Sequence, residues 1–112
     1  MAIEIVDLVK EAQALPPDSE KTVGENLLGD LLLIRLEPGD YPTECHEGRT
    51  EIITALRGQF AILTEDGRQW PVSQGQCCRI PPGLRHRWAP NSDATVVVAF
   101  AAIRKSDVRG YF

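Results

Sequence analysis

The sequence predicts an all-β domain of short antiparallel strands at barrel or sandwich spacing, preceded by a short N-terminal arm. Three observations carry this. From Lys21 onward, apolar runs of strand length are punctuated at short intervals by Gly, Pro and Asp. Leu32, Ile34 and Leu36 alternate, which is the period of a strand with one buried face. Asp66-Gly67 between two further runs is a hairpin signal.

The elements follow in order. Val6, Leu8, Val9, Ala12 and Leu15 give the start helix-forming content without a clean period, and Pro16-Pro17-Asp18-Ser19 ends it. The reading is an arm over residues 1–20, helical or partly extended, packed on a β-barrel domain over 21–112. Strands are expected at 22–28, 31–36, 43–47, 51–56 and 59–64, the last two flanking Arg57-Gly58. More are expected at 69–72, 77–80, 84–88 and 94–103, separated by Gly75 and by Pro81-Pro82-Gly83. No internal repeat or low-complexity segment is visible. The final strand, from Ala94 to Ile103, is apolar on both faces, so both need cover. The barrel interior supplies one cover; the arm or a second copy must supply the other, and a homodimer is expected.

Composition bounds the partners. A chain of 112 residues with 43% apolar and 25% charged residues is an ordinary globular domain with room for one core. Its net charge of −4 argues against a nucleic-acid backbone as partner. No apolar run reaches the ~20 residues of a membrane helix. Glu4 and Asp7 stand where a signal peptide would be basic, then apolar, so a cytoplasmic location is expected. Three cysteines, Cys45, Cys77 and Cys78, make no disulfide framework and suit a reducing compartment. Cys77 and Cys78 read as packed strand residues, and Trp70 and Trp88 as core or pocket wall.

The chemistry gathers around the two histidines. In Thr43-Glu44-Cys45-His46-Glu47, an extended backbone puts Glu44 and His46 on one face. Glu51 shares a face with Ile53 and Ala55, a plausible interior side. Two carboxylates and an imidazole would then converge, and a divalent cation relieves the repulsion and desolvation that would otherwise protonate them. The second histidine, His86, follows Gly75, Pro81 and Gly83, with Asn91 a little beyond.

These spacings resemble the two motifs of the cupin superfamily. Gly75, Pro81, Gly83 and His86 match the second motif in register, with Asn91 one place late; His46, Glu51 and Gly58 match the first. The resemblance covers roughly 31–100 and implies a small antiparallel double-stranded β-helix, a jelly-roll barrel, often dimeric, holding one divalent metal. The departures are Glu44 in place of the first motif histidine, and Gly39 one residue closer than usual. A literal count would turn Cys45 and Glu47 inward and discard the only imidazole of that motif, so the other register is preferred. The implied metal ligands are His46, Glu51 and His86, with Glu44 as fourth ligand or catalytic base. Iron, manganese, zinc, nickel and copper all suit such N/O donors.

A narrower resemblance is to mannose-6-phosphate isomerase-type cupins, carried by Glu44-x-His46-x-x-Arg49-x-Glu51, Gly58, Ile80-Pro81 and His86-Arg87. That type usually has Gln at the place of Glu44. Arg79, Arg85 and Arg87 are expected near the barrel rim, steering an anion or solubilising an outer face. The expectation is a metal-dependent enzyme, oxygenase or isomerase, acting on a small acidic or oxygen-rich molecule. The alternative is a non-catalytic ligand-binding or sensor module, with or without metal.

Overall fold

Asp7 opens the arm. Its carboxylate accepts a hydrogen bond from the Lys10 amide at 3.1 Å and so caps α1 (Leu8–Ala14). Seven residues cannot sustain a helix alone. What holds α1 is burial: Ala12, with Leu15 just beyond the helix, packs on Leu33 and Val97. Pro16 and Pro17 forbid continuation, and Asp18, in the left-handed region at φ 55°, turns the chain into the sheet. The computed structural model describes residues 3–26 and 29–101. Positions 27–28 and 102–103 of the expected strands lie outside the described residues.

Among the described residues seven antiparallel strands follow: β1 (Ser19–Asn26), β2 (Gly29–Leu36), β3 (Thr50–Thr64), β4 (Gln69–Ser73), β5 (Cys77–Ile80), β6 (His86–Trp88) and β7 (Asp93–Ala101). The main order is β1-β2-β7-β3-β4, with β5 and β6 also paired to β3. The spine is β3. Its first half pairs with β5 over Glu51–Thr54, its second with β4 and then β6, and β7 runs beside it from Thr50 to Gln59.

Several expectations are corrected here. The strands expected at 51–56 and 59–64 are one 15-residue strand. Arg57-Gly58 reads as a turn but sits at a bulge, where Leu56 is the extra residue between the pairs Ala55–Val96 and Arg57–Thr95. Gly58 takes φ 72° there and lies against the Asp93 carbonyl, so the chain bends without leaving the ladder. The segment 43–47 forms no strand, only an isolated bridge between Glu44 and His86. Pro42 has no N–H to extend it, and a turn through Gly48 follows at once. Of 84–88 only the last three positions are strand. The first strand, expected from residue 22, begins at Ser19.

The interior core includes Leu36, Ile53, Phe60, Ile62, Val96 and Val98. Trp88 is in it, edge-on to Phe60 at 5.3 Å between ring centroids. Trp70 instead lies on the surface beneath Arg68. The outer face of β2 and β7 is covered by α1 at Leu33 and Val97. Cys78 is half-buried and Cys77 exposed, because alternation turns only one of two neighbours inward. Burial, with the Glu51 charge adding to it, pushes the Cys78 thiol up to about 11.

Gly58→Ala should destabilise the protein by about 2 kcal/mol or more, since the new Cβ meets both a left-handed backbone and the Asp93 carbonyl. Equilibrium denaturation measures this; an unchanged midpoint would refute the bulge geometry.

Candidate metal centre

Strand parity delivers the first two groups. Glu51 begins the inward series of β3 that continues through Ile53 and Ala55, and it is 3% exposed. His86 opens β6, shares its face with Trp88 and is 4% exposed. The other two arrive on the 43–47 segment, which backbone bonds fix to the turn preceding β6. Glu44 N donates to His86 O at 2.7 Å, His86 N to Glu44 O at 3.0 Å, and Gly83 N to His46 O at 2.9 Å. The Pro81-Pro82-Gly83 turn therefore positions His46 as well as His86.

Glu44, His46, Glu51 and His86 each bring one N or O donor atom to a point where all four lie within 4.8 Å of one another. The Nδ1–H of His86 donates to the Leu84 carbonyl at 2.9 Å, which leaves Nε2 facing Glu51 Oε1, also at 2.9 Å. Among the described residues, the Nε2 of His46 is buried without a hydrogen-bond partner. It lies 3.7 Å from both Glu44 Oε2 and Glu51 Oε1, too far for hydrogen bonds. Donor atoms gathered this closely could hold one divalent ion between them. An orphaned imidazole nitrogen facing two carboxylates fits a divalent cation.

The other expected residues are distributed differently. Cys45 is exposed and its thiol donates to Glu47, away from the cluster. Arg49 lies 4.4 Å from the centre of the Phe100 ring, which itself meets His46 edge-on at 4.9 Å. It supports the histidine from behind rather than joining the cluster. Arg85 and Arg87 share a shallow cavity with Glu65, and Arg85 pairs with that carboxylate. Arg79 stands apart on β5 opposite Ile52, so the expected trio is a pair and a separate residue.

The cluster opens on a cavity of about 310 Å³. Leu32, Ile34, Trp88, Val98 and Phe100 form its apolar wall, while Tyr41, Asp18 and Glu20 add polar groups. Sequence reasoning missed Tyr41, Asp18, Phe100 and the Leu84 carbonyl. Phe100 was accessible in principle, because it continues the parity of Val96 and Val98; a carbonyl leaves no signal. A larger cavity, about 430 Å³, lies among Gln13, Arg35, Arg57 and Thr95 and contains none of the four clustered residues.

The sequence matches the Cupin_2 family, described as a cupin domain, over residues 32–102. The chain belongs to the cupin family. No curated protein matches it by sequence. The fold is similar to that of a Neisseria meningitidis protein at 20% identity, covering 86% of this chain and 97% of that one, TM-score 0.74. A cupin-2 domain protein from Shewanella frigidimarina aligns at 16% identity over 85% and 92% of the two chains, TM-score 0.75. A predicted oxalate decarboxylase from Thermotoga maritima aligns at 23% identity over 66% of each, TM-score 0.56. At these identities the likeness is one of fold.

Burial works against the imidazolium of His86, but its hydrogen bonds to Glu51 and Leu84 and the charges of Glu51 and Glu44 outweigh that, raising its pKa. In the metal-free cupin, protonated His86 thus contributes stability that is full below the ordinary value of 6.5 and is lost as pH rises through the raised value. A metal requires the same Nε2 without its proton, so metal-linked stabilisation grows across that window. Melting temperatures with metal and with chelator should therefore diverge as pH rises above 6.5. Parallel curves would show that His86 is not a ligand.

Proposed function

We propose that this cupin is a metal-dependent enzyme that holds one divalent ion between Glu44, His46, Glu51 and His86 and acts on a small oxygen-rich molecule in the adjoining cavity. The observation that carries this is the buried, unpartnered Nε2 of His46, directed toward two carboxylates. The donor set is two imidazoles and two carboxylates, which suits iron, manganese, zinc or nickel alike. Bound there, the ion would supply Lewis-acid chemistry toward a carbonyl or hydroxyl of the substrate, or oxygen activation in an oxygenase.

The chain's own groups define the remaining roles. The Leu84 carbonyl fixes the tautomer of His86, and Phe100 with Arg49 behind it fixes the ring of His46. Glu51, buried, neutralises charge. Glu44 is different: its side chain is 44% exposed and reaches both the cluster and the cavity, so it can accept a proton from substrate as general base. Two carboxylates with a divalent ion sum to zero net charge, and Asp18 and Glu20 line the same cavity. That favours an uncharged, hydroxyl- or carbonyl-bearing substrate over an acidic one. It also sets this cavity apart from what an oxalate-type substrate would need.

A second reading keeps the cavity and drops the catalysis. The 2.9 Å bond between His86 and Glu51 already satisfies two of the four groups, as a metal-free binding or sensor cupin would require. Elemental analysis of protein purified without added metal separates the two: the enzyme reading expects near-stoichiometric divalent metal. Glu44→Gln should weaken metal binding only modestly, by about tenfold, while any turnover falls by about 10²–10⁴. His86→Ala should abolish tight binding. Metal-free protein that gains no thermal stability from added divalent ions would overturn the enzyme reading.

We further propose a cytoplasmic homodimer. The odd cysteine count supports the compartment. Ile3 and Ile5, more than nine-tenths and about nine-tenths exposed, support a partner surface beside α1. Sedimentation at micromolar concentration should give twice the chain mass of 12.4 kDa. A single-chain mass would leave α1 as the sole outer cover of Leu33 and Val97.

A further inference from the structure

The outer face of β2, β7 and β3 carries a second cluster that has no part in the metal centre. Arg35 on β2 and Arg57 on β3 are both in register with Thr95 on β7, so one row across three strands reads Arg35, Thr95, Arg57. Strands spaced about 4.8 Å apart put the two arginine Cα atoms roughly 10 Å from each other, with a hydroxyl between them. The row faces outward, because Leu33 and Val97, two positions along the same strands, pack beneath α1, whereas Leu36, Ala94 and Val96 are in the interior core.

The row borders the cavity of about 430 Å³, which Gln13 of α1 and Asp93 of β7 also line. Arg35 is held in place by its Nη1, which donates to the Leu15 carbonyl at 2.9 Å. Arg57 is exposed. Among the described residues, neither guanidinium has a carboxylate oxygen within 4 Å. The chain has 16 acidic residues, yet among the described residues Asp93 is the one carboxylate lining this cavity, against two arginines. Two like charges held apart, with a hydroxyl and an amide as further donors, leave a concave surface of net positive charge on a chain of net charge −4.

We propose that this cavity binds a small oxyanion, a phosphate ester or a dicarboxylate, between Arg35 and Arg57. The guanidinium forks make charge-assisted hydrogen bonds to its oxygens, Thr95 donates its hydroxyl, and Gln13 closes over the ligand from α1. Occupation ties the arm to the sheet. The site is independent of the metal reading, since the two share no residue.

Calorimetric titration of the purified chain at low salt, with inorganic phosphate and separately with succinate, tests it. One saturable site is expected for at least one probe, and the stronger arm says whether phosphate or carboxylate is the natural chemistry. Arg57→Gln and Thr95→Val should each weaken it about tenfold, as expected for a lost hydrogen bond to a charged group. Metal content should stay unchanged in both variants. Arg57 is exposed and Val keeps the shape of Thr, so both variants should melt as the parent does. No saturation with either probe would overturn the proposal. So would binding that persists in both variants, or that disappears in His86→Ala instead.

Discussion

A continuous β3 carrying one extra residue is the constraint on which the rest of this barrel depends. The strand belongs to both halves of the fold: Glu51 lies opposite Ile80 near one end, and Thr64 opposite His86 at the other. Only a strongly bent strand can have its two ends so placed that the side chain of Glu51 reaches that of His86. The bulge at Leu56 and the positive φ of Gly58 provide the bend. Pairing with β7 continues on both sides of it, so the curvature costs few ladder hydrogen bonds.

The bend creates an electrostatic problem. A carboxylate as buried as Glu51 loses its hydration, and burial without a partner costs several kcal/mol. The cluster offers two remedies at one atom. A proton on His86 Nε2 can meet Glu51 directly, or an ion can take the place of that proton and gather His46 and Glu44 as well. The first remedy leaves His46 Nε2 buried and unpaired. The second satisfies every group, which is why the unpaired nitrogen argues for an ion more strongly than the proximity of acidic groups. Glu44 avoids the problem because it remains partly in solvent.

Much of this was legible in the sequence, and the failures have physical causes. Alternation alone put Glu51 with Ile53 and Ala55. The Gly75, Pro81 and Gly83 punctuation located the turn that carries His86. What misled was local chemistry with two meanings. Arg57-Gly58 has the composition of a turn, and glycine at positive φ serves a bulge as readily as a hairpin. Residues 43–47 look extended, but a proline before them and a turn that begins at Glu47 leave only one bridge. Cys77 and Cys78 could not both be packed, because neighbours on a strand face opposite ways. The carbonyl that orients His86 and the arginine row across three strands depend on long-range register, which no local pattern encodes.

The bulge also explains a change of parity visible along β3. Before it, the inward positions are odd: 51, 53 and 55. After it, the interior core takes the even positions Phe60 and Ile62. Strict alternation would have carried Arg57 into the barrel, beside the apolar interior, as an unpaired guanidinium. The penalty for such a charge is several kcal/mol, comparable to the whole stability of a small domain. One inserted residue removes it. Leu56 turns outward to join the cluster under α1, Arg57 follows on the same face, and Thr95 finds an arginine on either side. The residue that bends the strand around the buried carboxylate is thus the one that builds the positive row outside. The carboxylate–histidine cluster inside and the arginine row outside are therefore two faces of one backbone irregularity, separated by the thickness of a sheet.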